Sequence, residues 1–181
     1  MMKDGDLDLI CGLLKRLDRE AYIHYIQPPY KKRSDTIFFV PKGHGDLIKT
    51  YEDLYDLKIG TIRGAKFFIR FDEDDSLRKD PVAQDTLNFK KLLLGRVDTV
   101  IINEASGIDL IHKMNISDKI EMAPYRFNRE KFVYIGISKN SWLMDKIDTI
   151  EPVIRKMILS GKIRQIIEDY YTRLNLPVPA L

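Results

Sequence analysis

Apolar and polar positions alternate from Asp6 to Leu9 and then run apolar through Cys11, which predicts a short strand. Thr36–Val40 is β-branched and aromatic and is bounded by Pro41 and Gly43, so it predicts a second strand. Thr50, with Asp53 three residues on, has the form of a capping box and starts a short helix through Asp56. Lys58–Arg63 predicts the next strand, ended by Gly64, with a helix to follow, and the acidic run Asp72–Asp75 reads as a solvated loop. A helix over Thr86–Leu94 is closed by Gly95. Val97–Ile102 predicts a strand, Glu104–Met114 a helix, and Ile120–Ala123 and Phe132–Ile137 two further strands. Ser141 caps a helical stretch to Ser160 that Pro152 should kink or divide and Gly161 stops. Ile163, Ile166, Ile167, Tyr170 and Leu174 mark a last amphipathic helix. Alternating strands and helices with short connections predict an α/β fold with a largely parallel sheet.

Composition narrows this little. Hydrophobic residues make up 44% of the 181 positions and charged residues 31%, the balance of an ordinary globular chain. A net charge of +3 does not argue for a nucleic-acid partner. The one basic cluster, Lys31-Lys32-Arg33, reads as a solvated connection or as an anion or partner contact. A single cysteine, Cys11, allows no intrachain disulfide, and the three histidines lack metal-ligand spacing, so neither a metal nor any other cofactor is expected. The N-terminus is polar and acidic, unlike a secretory signal.

Three places could carry chemistry. Gly60–Lys66 has the form of a strand, a tight turn and a helix start, either a backbone cradle for a carboxylate or phosphate or a plain turn; its spacing fits neither a Walker loop nor a dinucleotide fingerprint. Asn103-Glu104 follows an apolar strand, where ligands of α/β sheets sit, and Asn103 could equally cap the next helix. Arg19, flanked by Asp18 and Glu20, is either a surface arginine with local ion pairs or a bidentate clamp on a carboxylate. No nucleophile–base pair or carboxylate dyad can be nominated, so the chain does not read as an enzyme.

The order of segments adds a resemblance. Gly5-Asp6-Leu7-Asp8-Leu9-Ile10, Asp18-Arg19-Glu20 and Ile26-Gln27-Pro28-Pro29-Tyr30 resemble the "G-x-x-D", "T-x-E-R" and "F-S-x-P-Y" elements of the bacterial extracellular solute-binding proteins of the polar amino-acid type (family 3), with Arg16 in place of the threonine, Asp18 of the glutamate and Ile26-Gln27 of the Phe-Ser. Leu57–Gly64, Leu93–Asp98, Tyr134–Ser141 and Ser160–Ile166 with Tyr170-Tyr171 resemble later segments of that family in the same order.

The resemblance implies a type II periplasmic-binding-protein-like α/β fold, two Rossmann-like lobes joined by two hinge strands. Lobe one would hold residues 1–33 and 133–181, and lobe two residues 34–132. Family members carry several dozen residues before the point matching Gly5-Asp6, so lobe one is expected to be incomplete and prone to self-association. The implied function is non-catalytic binding of an amino acid or related carboxylate in an interlobe cleft, outside the cytoplasm, for delivery to the permease of an ABC transporter. A sensory receptor module and an enzyme resembling cyclohexadienyl dehydratase are the alternatives on the same fold. Arg19 matches the family arginine that holds a ligand carboxylate. Ala65 and Lys66 fall at a second ligand-contacting position. Asn103, beside Glu104, stands where amino-acid binders place an aspartate for the ligand ammonium. The neutral amide points to an anion without an ammonium group.

Overall fold

The computed structural model describes residues 2–4, 6–128 and 130–181, and of Arg33 the backbone only. In chain order the elements are β1 (Leu9–Leu14), α1 (Leu17–Glu20), β2 (Ile23–Tyr25), β3 (Lys31–Arg33), β4 (Thr36–Pro41), β5 (Lys58–Ile62), α2 (Ile69–Glu73), β6 (Arg78–Val82), α3 (Asp85–Leu93), β7 (Thr99–Asn103), α4 (Glu104–Lys113), β8 (Ile120–Phe127), β9 (Glu130–Ser138), α5 (Ile147–Leu159) and α6 (Lys162–Arg173). Short 3-10 turns lie at Gly45–Leu47, Glu52–Asp56 and Trp142–Lys146. The chain forms two compact units. Unit 1 holds Met1–Ser34, Glu130–Pro179 and Leu181, and unit 2 holds Asp35–Arg129 and Ala180.

Unit 1 is built around β9. Strands β1, β2 and β3 all pair with it antiparallel, with Leu9 opposite Ile137, Tyr25 opposite Gly136 and Lys31 opposite Val133. Val133–Ser138 is buried throughout, because both sheet faces are covered. On one face Ile26, Ile135 and Ile137 meet Leu143, Met144, Ile147, Ile150 and Ile154, and on the other Leu13, Ile23, Tyr25 and Tyr134 pack together. Gly136 is the point of closest approach: a Cβ there would sit 2.6 Å from Leu13 Cδ1 and 2.9 Å from Ile23 Cγ2.

Unit 2 carries a five-stranded sheet in the order β6-β5-β7-β4-β8. Strands β5, β6 and β7 are parallel, while β4 runs antiparallel to both β7 and β8. One face is closed by Phe38, Tyr51, Leu54, Phe68, Phe71 and Ile101, among others. Toward the other face, α3 and α4 bury Phe89, Leu92, Ile108 and Ile111, with Phe89 edge-on to Phe39 of β4 at 5.6 Å.

Several expectations are corrected. The sheets are not largely parallel: unit 1 is wholly antiparallel, and in unit 2 only the strands linked through α2 and α3 have the crossovers that parallel pairing requires. The basic run Lys31-Lys32-Arg33 is strand β3 on β9 rather than a bare connection. The acidic run is not a solvated loop, since Asp72 lies in α2 and accepts from the Phe67 N–H, and Asp74 accepts from the Tyr51 hydroxyl at 2.9 Å. Pro152 does not divide its helix. It lies on the exposed face of α5, where the Asp148 carbonyl that loses its partner can bond water, and the break falls earlier, between the Trp142–Lys146 turn and α5. The Gly95 stop is realised: Gly95 adopts φ +65°, Arg96 N–H donates to Lys91 O and Gly95 N–H to Leu92 O.

Candidate functional site

The parallel strands β5 and β7 are neighbours in unit 2, paired at Ile59 with Thr99 and at Gly60 with Val100, so their carboxyl ends emerge together. In open α/β sheets that edge is where ligands bind. Ala65 and Lys66 lie just beyond the end of β5, both exposed, and Asn103-Glu104 joins β7 to α4. The apolar β7 core (Val100, Ile101, Ile102) anchors the strand, and Asn103 and Glu104 are the polar side chains that follow it.

The Gly60–Lys66 segment is more ordinary than its spacing suggests. After Gly64, at φ +75°, the chain continues to a helix that begins only at Ile69, and that helix has five residues. The Ala65 N–H donates to Ile62 O, and the Phe67 N–H is taken by Asp72 from within α2. The close approach that Gly60 permits is filled by the protein itself: a Cβ there would stand 2.8 Å from Asn88 Oδ1, and Asn88 Nδ2 donates to Thr61 O at 3.0 Å. Lys66 remains as an exposed cation at this edge, with no charged partner among the described residues.

Both readings of Asn103 bear on its geometry, and the capping one is realised. Its Oδ1 accepts from the Ser106 N–H at 3.4 Å, while Nδ2 donates to Asp35 O at 3.2 Å. Glu104 is buried. Its Oε1 accepts from Arg126 Nη1 at 3.1 Å, its Oε2 accepts from the Ala180 N–H at 2.9 Å, and its own N–H donates to Asp35 O. Arg126 also approaches Asp35 Oδ2 at 3.5 Å, and Asp35 is 1% exposed. Sequence reasoning missed Arg126 and Asp35. Arg126 lies past the end of the expected strand Ile120–Ala123, and only the extension of β8 to Phe127 carries it alongside the start of β4. No signal at one position reveals a pairing 91 residues apart.

Arg19 lies in unit 1, on the one-turn helix α1, and is half-buried. The local ion pairs expected of a surface arginine are made by others: Asp18 is held by Arg16 at 3.0 Å and Glu20 by Lys15 at 3.1 Å. Among the described residues no carboxylate pairs with Arg19. Gly5, which opens the first resembling motif, lies outside the described residues. Among the described residues no group of histidines, cysteines and carboxylates could hold a metal ion, and no helix is long and apolar enough to cross a membrane.

No protein-family profile matches the chain. In solved structures the fold recurs among amino-acid-binding components of transporters. It is similar to AbpA from Streptococcus pneumoniae, an amino acid ABC transporter substrate-binding protein bound to L-arginine, at 19% identity and a TM-score of 0.67, covering 96% of this chain and 71% of that one. It is also similar to a variant of ArgBP from T. maritima at 22% identity and a TM-score of 0.64, covering 93% and 71%. The class is therefore the α/β fold of periplasmic-type binding proteins. In sequence the chain is 22% identical over 139 residues to the L-cystine-binding protein TcyJ of Escherichia coli (strain K12), a match over 73% of this chain and 48% of that protein. The chain thus spans about half the length of the curated relative it matches. These likenesses agree in fold with the solute-binding proteins that the sequence motifs resemble.

Proposed function

We propose that the protein binds a small carboxylate-bearing solute without transforming it and hands it to the permease of an ABC transporter outside the cytoplasm. The observation that carries the reading is Arg19: an arginine at the family's carboxylate-holding position whose flanking acids are engaged by Arg16 and Lys15, which leaves its guanidinium fork for a ligand. Lys66 adds an exposed cation at the sheet edge of unit 2, and Ala65 leaves that edge open to a ligand. Against catalysis stands the want of an open acid: Glu104, the carboxylate at this edge, is buried and held by Arg126. The same reading includes pairing of two copies through β1, an edge strand with Leu9 and Leu14 exposed, which sedimentation velocity would register as a dimer.

The test is a thermal-shift screen against amino acids, dicarboxylates, keto acids and phosphate, with Arg19→Ala in parallel. A ligand at about a hundred times its dissociation constant adds about 2.7 kcal/mol of stability. That corresponds to roughly 5–10 °C for a chain of this size. A shift with one ligand class that disappears in Arg19→Ala supports the reading; no shift with any class, or one untouched by Arg19→Ala, overturns it.

A further inference from the structure

We propose that Arg126 sets ligand selectivity by occupying Glu104, so that the protein prefers carboxylates with no α-ammonium group. The inference rests on the solute-binding reading and concerns unit 2 alone. The carboxyl edge of β5 and β7 presents two exposed cations, Arg63 and Lys66, one neutral amide, Asn103, and one carboxylate, Glu104. A ligand ammonium needs an anion with an accepting oxygen to spare, because a desolvated cation left without one costs several kcal/mol. Glu104 has none within reach: it is 5% exposed and its charge is already balanced by Arg126, whose Nη1 is on Oε1 at 3.1 Å, with the Ala180 N–H on Oε2 at 2.9 Å. Asp35, the other acid at this corner, is 1% exposed and within 3.5 Å of the same guanidinium. Asn103 divides its amide between Ser106 and Asp35, so its oxygen is committed to the α4 cap. The charge that remains open to solvent at this edge is positive. A hydroxy or keto acid meets it without penalty, whereas an amino acid adds a further cation to an edge that already carries Arg63, Lys66 and Arg126.

The arrangement is switchable by one side chain. Removing the guanidinium releases Oε1 of Glu104 beside the α4 N-terminus and creates an ammonium acceptor where none was open. Arg126 is therefore a positioning residue, acting through Glu104.

The experiment is isothermal titration of matched sets sharing one skeleton: L-glutamate, 2-hydroxyglutarate and 2-oxoglutarate, then L-alanine, lactate and pyruvate. The variants are Arg126→Gln, Arg126→Lys and the double variant Arg126→Gln with Glu104→Gln. The expected result is a preference of about tenfold or more for the hydroxy or keto acid in the wild type and in Arg126→Lys, the worth of one favourable charge contact. Arg126→Gln shifts the ratio toward the amino acid by about the same factor, and the double variant returns it, which a merely structural role for Arg126 would not do. A wild type that favours the amino acid overturns the inference and leaves the solute-binding reading standing. So does a ratio unmoved in a folded Arg126→Gln. If Arg126→Gln fails to fold, the wild-type and Arg126→Lys ratios decide. Absence of heat with every probe overturns the binding reading and this inference with it.

Discussion

In unit 2 the helices α3 and α4 each bury two large apolar side chains completely or nearly so, Phe89 with Leu92 and Ile108 with Ile111, while in unit 1 the longer helix α5 buries none and α6 only Tyr171. Both α5 and α6 are amphipathic, yet Val153, Leu159, Ile166 and Tyr170 remain exposed. Unit 2 is thus a sheet closed on both faces by its own chain, and unit 1 is a sheet whose helices keep apolar surface in solvent. Since hydrophobic stabilisation follows the apolar area removed from water, most of the molecule's resistance to unfolding should reside in unit 2. The same contrast bears on function. The nominated residues of unit 2 sit on strand ends fixed by a dense core, whereas Arg19 sits on a single helical turn beside a three-residue strand.

The contrast is tested most severely by matched truncations. Ile101, on β7, is wholly buried in the aromatic core, and Ile154, on α5, is a partly buried residue of the corresponding layer in unit 1. Ile101→Ala should cost about 4 kcal/mol and Ile154→Ala about 1 kcal/mol, the cost scaling with the cavity left behind. Amide exchange reads the two units separately, with β7 amides reporting on unit 2 and β9 amides on unit 1. Equal losses would abolish the distinction.

Glycine substitutions probe the same difference from the opposite side, by adding volume. A Cβ at Gly107 would lie 2.2 Å from Phe39 Cε2 and 2.9 Å from Ile102 Cγ2, so α4 could not keep its distance from the sheet. At Gly136 the closest atom is Leu13 Cδ1, the flexible end of its side chain, at 2.6 Å, a shallower overlap than the buried Phe39 ring makes at Gly107. Gly107→Ala should therefore cost about 2–3 kcal/mol, even after its gain in helix propensity, and Gly136→Ala about 1 kcal/mol. Urea midpoints with unchanged slopes would give both values. A stabilised Gly107→Ala would mean that the α4–β4 interface yields readily.

How far the sequence revealed this molecule follows the same division. The long apolar segments of unit 2 were legible because burial on both faces writes itself as β-branched and aromatic runs such as Thr36–Val40, and because helix stops such as Gly95 have a stereochemical reason to be glycine. The strands β2, β3 and β6 were not legible. Each is three to five residues long, β3 is wholly basic, and β6 contains Asp80 and Pro81; they are strands because of the partners they lie against, β9 and β5. At the candidate site, Asn103 was legible as a cap because the Asn-Glu start of an apolar helix is local. The pairing of Glu104 with Arg126 joins separate elements and had no local trace. Gly60 shows the converse error: a glycine that reads as room for a ligand is room for Asn88.

A smaller effect sharpens the picture at one corner of unit 2. Hydrogen bonds from Ser76 and then from Tyr51 hold the Asp74 carboxyl down to about 2, below its usual value. Its folded pKa is thus lower than its unfolded one, so the contribution is fully present above about pH 4, the ordinary aspartate range. It should be lost as pH falls from there toward 2. Tyr51 is the hub that this contact tethers: it is buried, its ring meets Tyr55, Phe68 and Tyr125, and Arg70 lies over its face at 3.6 Å. Asp74→Asn should lower the urea midpoint at neutral pH and flatten its decline between pH 4 and pH 2, with the protection of β7 amides falling less steeply with acid than in the wild type. An unchanged acid limb in Asp74→Asn would mean that the carboxylate is no tether, and that the aromatic cluster holds this corner of unit 2 by packing alone.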